Sequence, residues 1–174
     1  MSRITIRNLT SDDFAALATL ENDVFGAMGE AVLCPHYLRV CTEIFHDSCW
    51  VALDGDRPVG YLLSFVRDRD VHCTTLAVIP EFQKTRVTLQ LISAFVRFII
   101  DRVDTCWFTV TPDNAPARAL HRMLGAIEIG RRQDFYHPGD ERILSKIDRA
   151  TLERMRSKYE RLGFVPARAA AEAA

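Results

Sequence analysis

Six consecutive residues, Gln83-Lys84-Thr85-Arg86-Val87-Thr88, join an apolar strand pattern to the longest amphipathic helix pattern in the chain. A strand that runs into a basic turn and opens a helix is a means of holding phosphate. The first amides of a helix have no intrahelical acceptor, and the helix dipole is positive at that end. Lys84 and Arg86 add side-chain charge there, while Thr85 and Thr88 add hydroxyl donors. Taken alone, the same turn reads as a solvated basic start of a helix. Two histidines stand near this region in sequence, His72 ahead of the turn and His121 well after it. Imidazole titrates near pH 6.5 and moves protons readily. His121 is equally readable as an ordinary structural histidine, and for His72 a strand residue with a satisfied ring is the better reading. Nothing in the sequence supplies Cys73 with an activating partner, so it reads as a buried thiol.

The elements that must position these groups follow from hydrophobic spacing. Ile4 and Ile6 alternate as an opening strand, and Ser11 with Asp12 and Asp13 suits the positive end of a helix carrying Phe14, Leu17, Leu20 and Val24. Gly26 and Gly29 loosen the chain before a second amphipathic stretch with Tyr37, Leu38, Cys41, Ile44 and Phe45. Residues 49–53 and 59–66 read as strands of a hairpin around Asp54-Gly55-Asp56-Arg57-Pro58. Residues 71–78 form another strand, stopped by Pro80. The stripe Leu89, Ile92, Phe95, Val96, Ile99, Ile100 and Val103 predicts a helix lying flat on a sheet. A buried-type strand at 105–111 precedes a helix at 114–124, which Gly125 ends and Asn114 can cap. Residues 126–136 and 142–147 predict a last hairpin around His137-Pro138-Gly139-Asp140. A closing helix with Leu152, Met155, Tyr159 and Leu162 ends at Gly163, ahead of a frayed tail.

Two motifs stand in order, the first Leu76-Ala77-Val78, Pro80-Glu81-Phe82 and Gln83, the second Asn114, Ala117, Leu120, His121, Gly125 and Ala126. Together they resemble the GNAT family of acyl-CoA-dependent N-acyltransferases, over residues 3–147. The resemblance implies an α/β (α+β) fold, with a mixed, mostly antiparallel sheet of six to seven strands and helices on both faces. It implies an acyl thioester whose pantetheine arm pairs with the backbone of Leu76 and Val78, one of those amides polarising the carbonyl. Gln83, Lys84, Thr85, Arg86, Val87, Thr88 and Asn114 would hold the donor. With both motifs in register, donor binding becomes the better reading of the basic turn. Arg86 and Thr88 stand where the family has glycine and glycine or alanine, so the grip on the pyrophosphate differs. His121 replaces the tyrosine that protonates the leaving thiolate, and as an acid it predicts activity that falls as pH rises through its pKa. Peptide-acetylating relatives carry a base on the strand before the Asn motif, but this chain reads Phe108-Thr109-Val110-Thr111. His72 is then the best remaining base, ahead of Asp70 and Asp113. Tyr136 would line the acceptor site, with Glu30 and His36 on the opposite wall; Tyr136 topping the core and a plain 25–37 connector are the structural alternatives.

Composition agrees with such an enzyme and narrows its partners. The 174 residues carry 22 basic and 23 acidic side chains, and 48% are hydrophobic. One domain of common size fits that length: residues 1–147 for the transfer fold and 148–174 for a C-terminal helix and tail. Balanced charge argues against nucleic acid or a membrane surface as partner, and no apolar run is long enough to span a bilayer. No secretory signal is visible in MSRITIRNLTSDD, and the five cysteines lack a CxxC pair, which fits reduced thiols, no metal and a cytoplasmic location. The expected donor is acetyl-CoA or another acyl-CoA, and the expected acceptor a small-molecule or peptide amine. A phosphopantetheine thioester on an acyl carrier protein is the alternative donor, and an inert GNAT-like sensor the alternative function. Monomer and homodimer both remain open.

Overall fold

Val59 to Ser64 are all buried, which for a strand means that both faces are covered. That strand organises the molecule. The structure is a computed structural model and describes residues 4–26 and 31–167. Its seven strands are β1 (Ile4–Asn8), β2 (Trp50–Asp54), β3 (Arg57–Arg67), β4 (Asp70–Val78), β5 (Thr105–Val110), β6 (Ile127–Arg132) and β7 (Arg142–Asp148). They form one sheet in the order β1-β2-β3-β4-β5-β7-β6, antiparallel except for the β4–β5 pair. The helices are α1 (Phe14–Val24), α2 (Pro35–Glu43), α3 (Val87–Ile99), α4 (Ala115–Met123) and α5 (Arg149–Arg161). Successive strand residues point to opposite faces. Tyr61 reaches Glu21 of α1, while an added Cβ on Gly60 would meet Leu91 of α3. The α1–α2 pair therefore covers one face of the sheet and α3 the other. Among the described residues no helix is long and apolar enough to cross a membrane.

Several boundaries differ from the sequence reading, each for a local reason. Ser11–Asp13 form a separate 3-10 turn, and α1 begins after it. Asp13 accepts from the Thr10 amide at 2.7 Å and pairs with Arg7. Proline is tolerated at the start of a helix, and Pro35 opens α2 two residues before Tyr37. Ile44 caps that helix and is 65% exposed, so it is not a core residue. The strand expected over 126–136 ends at Arg132. Beyond it Asp134 takes φ 52°, its carboxylate accepts the Gly139 amide at 2.7 Å, and the chain closes into a stapled loop. The expected tail from residue 168 onward lies outside the described residues.

The C-terminal helix buttresses α4. Tyr159 donates to Leu124 O at 2.6 Å and Lys158 to Met123 O at 2.7 Å, and the Tyr159 side chain is fully buried. These two bonds satisfy carbonyls at the end of α4 that would otherwise lack partners.

β3 and β4 approach so closely at Gly60 that an added Cβ would lie 2.8 Å from Ala77 O and 3.0 Å from Val78 Cγ2. The first neighbour is backbone and cannot rotate away. Gly60→Ala is expected to destabilise the fold by about 1–3 kcal/mol, read as a lower Tm. An unchanged Tm would show that β4 shifts freely.

Candidate active site

β4 and β5 run side by side only at their beginnings, from Asp70↔Thr105 to Cys73↔Phe108. After that β5 stays with β7, while Thr74–Val78 of β4 have no strand beside them on that side among the described residues. The Ile79 amide donates to Val59 O at 3.0 Å, so alternate residues Ala77 and Thr75 also address β3. Leu76 and Val78 therefore turn their backbone N–H and C=O groups into the opening. This is an unpaired strand edge inside the sheet, able to bind an extended amide-bearing chain as a further strand would. The β3–β4 register shifts between Leu63 and Ser64, which leaves Thr74 bulged, and its hydroxyl donates to Leu63 O at 3.2 Å.

The basic turn stands at the open end of this gap. Gln83 Nε2 donates to Val78 O at 3.1 Å, so Gln83 ties the turn back onto β4. Thr85 Oγ1 donates to Phe82 O at 2.6 Å and accepts the Val87 amide at 3.3 Å. The Val87 side chain is fully buried, and it serves the core. Thr88 and Leu89 precede the first i→i−4 bond, which runs from the Gln90 amide to Arg86 O at 2.9 Å. Their amides therefore remain for an anion. Lys84 and Arg86 are exposed and have no acidic partner among the described residues. Arg86 takes φ −82° and ψ −1°, an ordinary helical conformation, and no residue of the turn has positive φ. Glycine is thus not needed here for an unusual backbone. Arginine in its place supplies charge instead of close backbone approach.

A strand edge exposed within a sheet, with a cationic helix start at its end, has the shape of a thioester-binding cleft. The model of the acetyltransferase (GNAT) family matches residues 14–126. The chain belongs to this family. No curated protein matches it by sequence. Solved structures of similar shape include the ribosomal-protein-S18-alanine N-acetyltransferase from Escherichia coli, with 18% identity and TM-score 0.70. That likeness covers 84% of this chain and 94% of the other. Arabidopsis thaliana Naa50, in complex with the bisubstrate analogue CoA-Ac-MVNAL, has 12% identity and TM-score 0.73 over 83% of this chain and 98% of its own. Diaminobutyrate acetyltransferase EctA from Paenibacillus lautus, in complex with L-2,4-diaminobutyric acid and coenzyme A, has 16% identity and TM-score 0.64, covering 85% and 96%. At these identities the likeness shows the GNAT fold alone.

Within this GNAT fold the two histidines lie on opposite faces of the sheet. Phe108 meets Phe95 of α3, and His121 of α4 lies against it with ring centroids 4.6 Å apart. His121 Nδ1 is buried without a hydrogen-bond partner among the described residues. Burial holds the His121 ring down to about 4, against a weaker opposing pull from Glu128, so the imidazole is neutral at neutral pH. Its ring then offers one donor and one acceptor, and the imidazolium form is not populated. His72 stacks on Trp107 at 6.1 Å and 14° on the α1–α2 face, at the closed end of the gap. It also lines a surface depression with Arg67, Asp68, Arg69 and Asp70. Cys73 marks the point where the strands part. Burial pushes its thiol up to about 12, which keeps it protonated and unsuited to nucleophilic attack.

Asn114 caps α4, its Oδ1 accepting the Ala117 amide at 3.0 Å. Asp113 is held below the usual carboxylate range, chiefly by its hydrogen bond to Thr111, and so stays ionised. Tyr136 is 63% exposed under the Arg142 guanidinium, which lies 5.0 Å from the ring centroid and is itself paired with Asp140. His36 is exposed in the first turn of α2. Glu30 lies outside the described residues.

Sequence reasoning missed the tyrosine beside His36. Tyr37 donates its hydroxyl hydrogen to Thr74 Oγ1 at 2.7 Å, at the bulge of β4. Its ring packs edge-on against Phe65. Burial first, then neighbours that include Tyr136, raises the Tyr37 phenol well above its ordinary value. The phenol therefore keeps its proton and spends it on Thr74, leaving its oxygen only lone pairs to offer. The polar doublet Thr74-Thr75 in an otherwise apolar strand was the signal that could have found this contact.

Proposed function

We propose that the chain transfers an acyl group, acetyl in the first instance, from CoA to a primary amine by direct attack in the gap between β4 and β5. The parting of these strands after Cys73 and Phe108 is the observation that carries this reading. The pantetheine arm pairs with the Leu76 and Val78 edge, where the Val78 carbonyl is already shared with Gln83. The phosphates meet Lys84, Arg86 and the Thr88 and Leu89 amides. A small-molecule or peptide amine enters from the α1–α2 face, between Tyr37, Tyr136 and Trp107. Tyr37 accepts a hydrogen bond from the amine and orients its lone pair toward the thioester carbonyl, which a β4 amide polarises. His72 takes the amine proton directly or through water. Neutral His121 donates a hydrogen bond toward the departing sulfur. Much of the rate comes from holding the two reactants together. Residues 1–147 supply these groups, and α5 braces the helix that carries His121.

Calorimetric titration with CoA, followed by thiol release from acetyl-CoA over a panel of amines, tests this reading. CoA binding with amine-dependent thiol release is the expected result. In the responding reaction, Tyr37→Phe is expected to raise the acceptor KM about tenfold, the worth of one hydrogen bond, with the acetyl-CoA KM unchanged. A chain that ignores acetyl-CoA and reacts with a loaded carrier protein would move the donor assignment to the carrier thioester. Binding without turnover against any amine would leave a sensor.

A further inference from the structure

The buried face of α1 is apolar at Leu17, Leu20 and Val24, but Glu21 interrupts it. This carboxyl group is 2% exposed and has no basic partner among the described residues. A carboxyl group withdrawn from water in this way is unfavourable unless its oxygens are hydrogen-bonded. Both are. Oε1 accepts the backbone amide of Leu33 at 2.8 Å, and Oε2 accepts the hydroxyl of Tyr61, itself fully buried.

These two partners belong to opposite walls of the cleft. Leu33 lies two residues before Pro35, where α2 begins, and Tyr37 in the first turn of that helix reaches Thr74. Tyr61 lies on β3 in register with Ala77, between the two β4 residues whose backbone faces the donor gap. One side chain thus joins the entry to the acceptor wall with the strand behind the donor edge. An apolar residue would pack this core position as well, but it would release the Leu33 amide.

We propose that Glu21 is a positioning residue for the acceptor: it holds the segment leading into α2 at a fixed distance from the donor strand and so sets where Tyr37 meets the amine. The kinetic part of this inference rests on the proposed transfer reaction; the mechanical part does not. Hydrogen exchange along residues 31–37 of the full chain reads the mechanical part. Separate KM values for acetyl-CoA and amine read the kinetic part.

Glu21→Met fills the same space without an acceptor. Loss of the acceptor leaves the Leu33 amide unsatisfied and predicts about 10–100-fold faster exchange there. The acceptor KM is expected to rise about tenfold, with the acetyl-CoA KM within about twofold. Glu21→Gln keeps an oxygen for the Leu33 amide and is expected to restore both readouts to within about threefold. If Glu21→Met does not fold, Tyr61→Phe removes one anchor only and is expected to accelerate exchange at Leu33 about tenfold. Native-like exchange at Leu33 in Glu21→Met, or in Tyr61→Phe where that variant stands in for it, would overturn the strut. Equal increases in both KM values, or a glutamine variant no better than methionine, would overturn its role toward the acceptor. If no amine supports turnover in the native chain, the transfer reading fails, and the exchange data still decide the strut.

Discussion

Replacing Lys84 and Arg86 together with alanine is expected to weaken CoA binding by about 30-fold, the equivalent of about 2 kcal/mol. Both side chains are exposed at the start of α3 with no acidic partner among the described residues, so their removal breaks no internal ion pair. Fold stability should therefore move little, and the loss should appear in the ligand. Each charge-assisted contact to phosphate is discounted for its exposure to water. Two such contacts, added to the amides of Thr88 and Leu89, give the stated size. The native affinity should also fall as salt rises, and that dependence should flatten in the double variant. Acetyl-pantetheine, which lacks the nucleotide, should bind native and variant proteins alike. Calorimetric titration at two salt concentrations checks all three expectations. An unchanged CoA affinity in the double variant would remove the phosphates from this turn. Arg86 carries extra weight because it replaces a family glycine. Its helical φ and ψ show that the exchange leaves the turn unstrained, so in the proposed reading a side-chain grip on the phosphates would stand in for a backbone one.

The parts of this site that were legible in the sequence are those written in adjacent residues. The stripe from Leu89 to Val103 announced α3, which ends at Ile99, and the turn before it was readable because strand, turn and helix follow one another without interruption. The seven-stranded sheet and its covering helices also followed from local periodicity and family resemblance. The contacts on the proposed acceptor side join residues far apart in the chain. Tyr37 reaches Thr74 and Glu21 reaches Tyr61 across 37 and 40 positions, and no spacing rule announces such pairs. Glu21 stands one turn after Leu17 on the apolar face of its helix, where a charge already calls for a buried partner. The partner's identity needs the fold. The two histidines were harder still. The family resemblance implies that they serve one centre, but strand alternation and helix placement put His72 on the α1–α2 face and His121 behind Phe108. A thioester threaded through the gap is what would bring the two faces into one reaction.

His121 sets the largest expected pH effect, and its sign opposes the imidazolium acid that sequence reasoning suggested. An acid poised near pH 6.5 would make activity fall as pH rises through neutrality. Burial against Phe108 holds the ring near 4 instead, so the neutral form dominates across the whole working range. Between pH 6 and 8 the profile of kcat/KM should therefore have the same shape in the native chain and in His121→Phe, whatever the drop in its height. A descending limb that disappears only in the variant would restore the imidazolium role. Stability supplies the second arm. The folded value of about 4 lies below the ordinary 6.5, so between these pH values the unfolded chain binds more protons. The contribution is present in full above about pH 6.5 and is lost as pH falls toward 4. The loss amounts to about 2 kcal/mol by pH 5. For a domain of this size that corresponds to roughly 4–8 °C in Tm. Thermal unfolding at pH 7.5 and pH 5 should therefore show a larger drop in the native chain than in His121→Phe, by about that amount. Phenylalanine fills the same space beside Phe108 without a proton to gain. Equal drops in the two proteins would mean that the ring is already solvated, and its Nδ1 would then have water as a partner in place of the reacting groups.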